Sequence, residues 1–151
     1  MREYRLLRGL LLLTGTIFLW GCESIAHRDD RMAEIAGDYI LSQVFMDNKK
    51  CALSTFDQSS LTAKIYESDG QWYFDAILPV INLHEKKEYH KAILPLTWDQ
   101  VLCRYYFELY PEEQERLNLK EALWDGNKIQ INISNVRSFQ YIWGKSNTSG
   151  K

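Results

Sequence analysis

Alternating apolar and polar residues, hairpin turn signals and one helical stretch predict an α+β domain. Its expected architecture is a curved antiparallel sheet of about seven short strands with a helical excursion near residues 97–124; the alternative is a small antiparallel β-barrel. Segments such as KIQINIS (128–134) place Ile129, Ile131 and Ile133 on one face and polar residues on the other, as in a strand with one buried face. Ser68-Asp69-Gly70 lies between two such runs, and Asp-Gly in that position is a strong hairpin signal. PEEQERLNLKEALWDGN (111–127) has helix punctuation: Pro111 suits a first helical position, Glu112, Glu113 and Glu115 favour the positive end of the helix dipole, and Gly126 can form a left-handed cap.

The elements follow in order. GDYILSQVFM (37–46) reads as a strand, DNKK (47–50) as a turn, and CALSTF (51–56) as a second strand ended by DQSS. LTAKIYE (61–67) and QWYFDAILPVI (71–81) make the Asp-Gly hairpin, with Pro79 near the strand's end or at an edge because it cannot donate to a ladder. NLHEKKE (82–88) is a charged loop, and YHKAILPL (89–96) is a shorter strand. Thr97-x-x-Gln100 fits a capping box, which favours a helix with Val101, Leu102, Tyr105, Tyr106 and Leu109 on one face. Val101, Cys103, Tyr105 and Phe107 also alternate, however, and a strand there would favour the barrel. For 111–127 the rival to a helix is a hairpin turning at Asp125-Gly126, and 128–134 with 136–143 form a last hairpin.

Ahead of this domain the chain has a different character. Arg2, Arg5 and Arg8 precede LLLLTGTIFLW (10–20), which carries no charge. Only the thirteen residues from Gly9 to Gly21 separate Arg8 from Cys22, fewer than the about 20 apolar residues of a spanning helix, so a removed signal fits better. Leu19-Trp20-Gly21-Cys22 resembles the lipobox of bacterial lipoproteins. The resemblance covers roughly the first 22 residues. It implies cleavage before Cys22, a diacylglycerol thioether on its sulfur and often acylation of the new amino group. It also implies residence on the periplasmic face of an envelope membrane. Glu23, where Asp would favour the inner membrane, points to the outer membrane, with the inner one remaining open. The expected organisation is a signal over 1–21, a tether over 22–36, one globular domain over 37–143 and a polar tail over 144–151.

Composition narrows the partners. Removing residues 1–21 takes away three Arg and one Glu, which leaves 15 basic against 19 acidic residues and a formal charge of −4. No basic footprint for nucleic acid or for anionic lipid heads is present in the sequence, so contact with the membrane is expected through acyl chains on Cys22. With Cys22 modified, Cys51 and Cys103 remain. They can pair, which would stabilise the fold by about 4 kcal/mol in the chain-entropy account, or they can be two small buried hydrophobes that never meet.

Candidate chemistry is sparse. His84 and His90 lie in LHEKKEYH near Glu85 and Glu88, but their spacing matches no common zinc pattern. Ser59-Ser60 has no nucleophile elbow around it, there is no Gly-rich phosphate cradle, and no catalytic, metal-ligating or cofactor-binding residue is assigned. Trp72, Trp98, Trp124 and Trp143 fall mostly in strands and suit core packing, an aromatic-lined cavity or a partner face. Arg104-Tyr105-Tyr106 and Phe139-Gln140-Tyr141 are the segments where such a face would be sought. The expected role is therefore non-enzymatic binding, as an accessory subunit of an envelope assembly. The alternatives are a carrier of a small apolar ligand and a periplasmic hydrolase without a recognisable motif. An accessory subunit would be solid with an exposed apolar patch, whereas a carrier needs an aromatic-lined cavity of at least ~300 Å³.

Overall fold

The Asp-Gly hairpin forms as its turn chemistry requires. In the computed structural model of the protein, Asp69 and Gly70 both take positive φ (53° and 77°), joining strand β3 (Thr62–Ser68) to β4 (Gln71–Ile81). Paired positive φ values are the backbone of the two-residue turns that match strand twist. Asp47 and Asn48 (φ 49° and 64°) repeat the device between β1 (Gly37–Met46) and the short β2 (Lys49–Lys50). The structure describes residues 32–147 apart from 33, 100, 103, 126 and 135; the signal, most of the tether, Cys22, Cys103 and the end of the tail lie outside the described residues.

The remaining elements are β5 (Lys87–Asp99), β6 (Arg104–Phe107), helix α1 (Pro111–Leu117), β7 (Leu119–Trp124), β8 (Lys128–Ser134) and β9 (Ser138–Lys145). Around the sheet the order is β6-β5-β4-β3-β1-β9-β8-β7, with β2 attached to β1 and every pairing antiparallel. Each strand of the ring therefore lies beside its neighbours in sequence, and β1 closes onto β9. The ends of the path, β6 and β7, come together with no ladder joining them among the described residues. The result is a nearly closed eight-stranded up-and-down barrel with one short helix at the seam. The antiparallel α+β reading takes its barrel form.

Three expectations change. Where a helix is expected from Thr97, the described residues form a strand hairpin: β5 runs on to Asp99 and β6 returns over Arg104–Phe107, with Trp98 opposite Tyr105. Thr97 Oγ1 bonds the Glu108 carboxylate across the hairpin at 2.7 Å, so the group expected to cap a helix serves a strand pair. CALSTF forms a 3-10 turn at Leu53–Thr55, not a strand. With a second 3-10 turn at Gln58–Ser60, that segment packs Phe56 and Ser60 into the wall where β3 is too short to reach. The helical excursion shrinks to α1, because Asn118 adopts the left-handed conformation (φ 50°, ψ 39°) and turns the chain into β7.

The interior is filled. Ala63, Ala76 and Ala92 lie side by side across β3, β4 and β5, giving up volume in the wall. Large rings occupy the centre: Phe74 meets Trp143 edge-on at 5.4 Å, Tyr39 at 6.5 Å and Phe107 at 5.7 Å. Tyr141 reaches across the interior and donates to the Pro79 carbonyl at 2.7 Å. β4 has no β3 partner beyond Ala76, so Pro79, which lacks an N–H, stands where one side of the strand is free.

Call the end where β1 begins the near end and the other the far end. A helical turn carrying Met32 and Ile35, each 2% exposed, seals the near end, and Tyr39 Oη donates to the Ile35 carbonyl at 2.6 Å. Burial pushes the Tyr39 hydroxyl up to about 12 from 10.0; the Trp124 indole pulls it slightly the other way, although its N–H lies outside hydrogen-bond geometry. A buried tyrosine that resists ionisation stabilises the fold fully below the unfolded value near 10 and loses that contribution as pH rises through the folded value. Two units correspond to roughly 2–3 kcal/mol, so urea midpoints should fall between pH 10 and 12. Tyr39→Phe should flatten part of that fall; an unchanged slope would remove Tyr39 as its source.

Candidate functional site: a cleft at the far end

Three segments distant in sequence meet at the far end. The β4–β5 loop (82–86), the C-terminal end of α1 and the β8–β9 turn gather over the barrel mouth. Asn82 Oδ1 accepts the backbone N–H groups of His84 and Lys86 at 2.9 and 3.0 Å, fixing the loop. The Ser134 N–H donates to the Asn118 carbonyl at 3.0 Å, tying the end of α1 to β8. Between them lies a cleft of about 130 Å³. Its floor is apolar, made by Leu78, Val80, Ile81, Leu117, Ile133 and Phe139, and Leu83 and Val136 stand exposed on its rim.

The charged groups of the rim are occupied with one another. Arg116 Nη2 contacts the Glu113 carboxylate at 2.7 Å and donates to the Lys91 carbonyl at 2.7 Å. Arg137 pairs with Glu85 at 2.7 Å, and Glu88 accepts from Asn82 at 2.8 Å while facing His90 at 3.4 Å. Exposed pairs of this kind contribute little stability. Their consequence is chemical: the cleft presents an apolar floor inside a self-neutralised rim, so an apolar group fits it better than an isolated charge. A wider depression of about 530 Å³ beside β1, β3 and β4 is open surface edged by Asp38, Lys64 and Asp75, and it encloses far less of any guest.

The residues singled out from sequence are distributed as follows. Phe139 joins the cleft floor, whereas Tyr141 is buried in the core, Tyr105 faces inward against Trp98 at 4.9 Å, and Tyr106 faces solvent. His90 and Glu88 line the cleft and Glu85 reaches its rim through Arg137; among the described residues no group of three or more His, Cys, Asp or Glu is placed to hold a metal. Ser60 is fully buried, with its hydroxyl donated to the Asp57 carbonyl at 2.7 Å. Cys51 has no disulfide partner among the described residues, and burial raises its thiol pKa, away from the thiolate that nucleophilic chemistry needs; Cys103, with which it could pair, lies outside the described residues. Sequence reasoning missed Leu83, Leu117 and Val136. Their only signal was apolarity among polar neighbours, Leu83 and Val136 in turns and Leu117 at the end of α1.

Fold and site together define an up-and-down barrel with a packed interior and a small apolar cleft at one mouth. No family model, no curated protein and no solved structure matches the chain. Among the described residues, no helix is long and apolar enough to cross a membrane.

Proposed function

We propose that this is a lipid-anchored protein of the bacterial envelope, facing the periplasm from the outer membrane. It works without catalysis, binding a protein partner through the far-end cleft as an accessory subunit. The observation that carries the binding role is the cleft's position and size. It opens at the end opposite the N-terminal segment, and its 130 Å³ is close to the roughly 150 Å³ apolar cavities that take one benzene-sized group. A carrier of a whole apolar ligand needs several hundred Å³. One inserted side chain of a partner suits this space, with Leu83 and Val136 extending the apolar contact around it. The anchor part of the proposal rests on residues 1–22.

A photo-crosslinking amino acid at Val136 should give one discrete protein adduct in living cells. The same group at Lys64, on the barrel wall, should not. Leu83→Glu should abolish the Val136 adduct, because it places a charge on the apolar rim. Identical adducts from both positions, or none from Val136, would contradict the cleft as the binding face.

A further inference from the structure

The near end has three hairpin tips, and one differs from the others. The β3–β4 tip is Asp69–Gly70, and the β7–β8 tip carries Asp125, Asn127 and Lys128, all polar. The β5–β6 tip instead presents Val101 at 90% and Leu102 at 57% exposure. Asp99 Oδ1 accepts the backbone N–H groups of both, at 2.8 and 3.0 Å. Those two donors therefore need no water, a condition that backbone must meet to enter a lipid environment. The flank suits an interface: Arg104, opposite Asp99 in register, is exposed, while Trp98 and Tyr105 pack edge-on beneath the tip and hold its base to the barrel. Long cationic side chains settle at the level of lipid headgroups.

The position of the chain outside the described residues identifies the occupant. Met32 is held against this same end, and Cys22 lies ten residues upstream, a span of at most about 36 Å even fully extended. If acyl chains on Cys22 sit in a bilayer, the near end is held within that distance of its surface, and this step rests on the anchor reading above. We infer that Val101 and Leu102 are a second, non-covalent membrane contact. The tip enters the headgroup region of the bilayer that holds the anchor, orients the barrel and turns the far-end cleft away from the membrane.

The test uses the full chain purified from membranes and returned to phosphatidylcholine–phosphatidylglycerol vesicles. Val101→Cys and, separately, Asp69→Cys are introduced with Cys51→Ser and Cys103→Ser, and each carries an environment-sensitive nitrobenzoxadiazole dye. On plain vesicles the dye at 101 should shift to the blue and brighten, and lipids carrying a nitroxide near the headgroup should then quench it, while the dye at 69 keeps the weak, red-shifted emission of water and does not respond to the nitroxide. Leu102→Asp should return the dye at 101 to the aqueous spectrum without releasing the protein from the vesicles. Equal quenching at 101 and 69, or an aqueous spectrum at 101 on floated vesicles, would overturn the inference and leave the anchor standing. Protein absent from the floated vesicles would overturn both, and flotation alone distinguishes that case. A dye at 101 that is shielded only when other envelope proteins are added would mean a protein contact, and would also overturn the membrane assignment.

Discussion

Cys22→Ala is expected to abolish incorporation of labelled palmitate and to move the protein from the membrane fraction to the soluble one. The size of the effect follows from chain chemistry. Each buried methylene contributes about 0.8 kcal/mol, and one myristoyl-length chain gives only reversible attachment, so two or three chains on one residue make the difference between anchored and free. The contact proposed for Val101 and Leu102 is too small to retain the protein by itself. Equal labelling of wild type and variant would rule out Cys22 as the lipid site and return the envelope assignment to an open question.

Trp143→Ala is expected to destabilise the barrel by about 4 kcal/mol, out of the 5–15 kcal/mol usual for a domain. Trp143 is fully buried and meets Phe74 of β4 at 5.4 Å and Tyr141 of its own strand at 5.7 Å, so truncation leaves a void between two strands held in place by their ladders. Trp143→Phe should cost far less, within about 1.5 kcal/mol, because it keeps the ring and removes an indole N–H that has no hydrogen-bond partner among the described residues. Urea unfolding of the three proteins measures both values. A loss below about 1 kcal/mol for Trp143→Ala would mean a loosely filled interior, the property of a carrier and not of the packed barrel described above.

Strands with one buried and one wet face were legible. The bounds of β1, β4 and β8 coincide with GDYILSQVFM, QWYFDAILPVI and KIQINIS, because period-two alternation and flanking turn residues agree there. The stretch from 97 to 124 was not, because its residues serve two patterns at once. Thr97 and Asp99 can cap a helix, and here they bond across a hairpin and close its tip instead. Pro111 and the glutamates do start a helix, but Asn118 ends it after seven residues, and Asp125 then caps the β7–β8 turn with its carboxylate on the N–H groups of Asn127 and Lys128. Both rival readings of 111–127 are thus partly realised, one after the other. Of the cleft, only Phe139 lay in a segment singled out from sequence; its assembly was not legible, because Leu78, Leu117 and Phe139 become neighbours only once the barrel closes.

The claim on which the binding role depends is that guests enter at the mouth and not inside the barrel. Methyl-resolved NMR during a benzene titration tests this most directly. Saturable shifts should appear at Leu83, Leu117, Ile133 and Val136 around the cleft, while Ile65, Leu94 and Ile131 in the centre stay unchanged. Saturable shifts at the central methyls would show an interior that admits a ligand and would contradict the account.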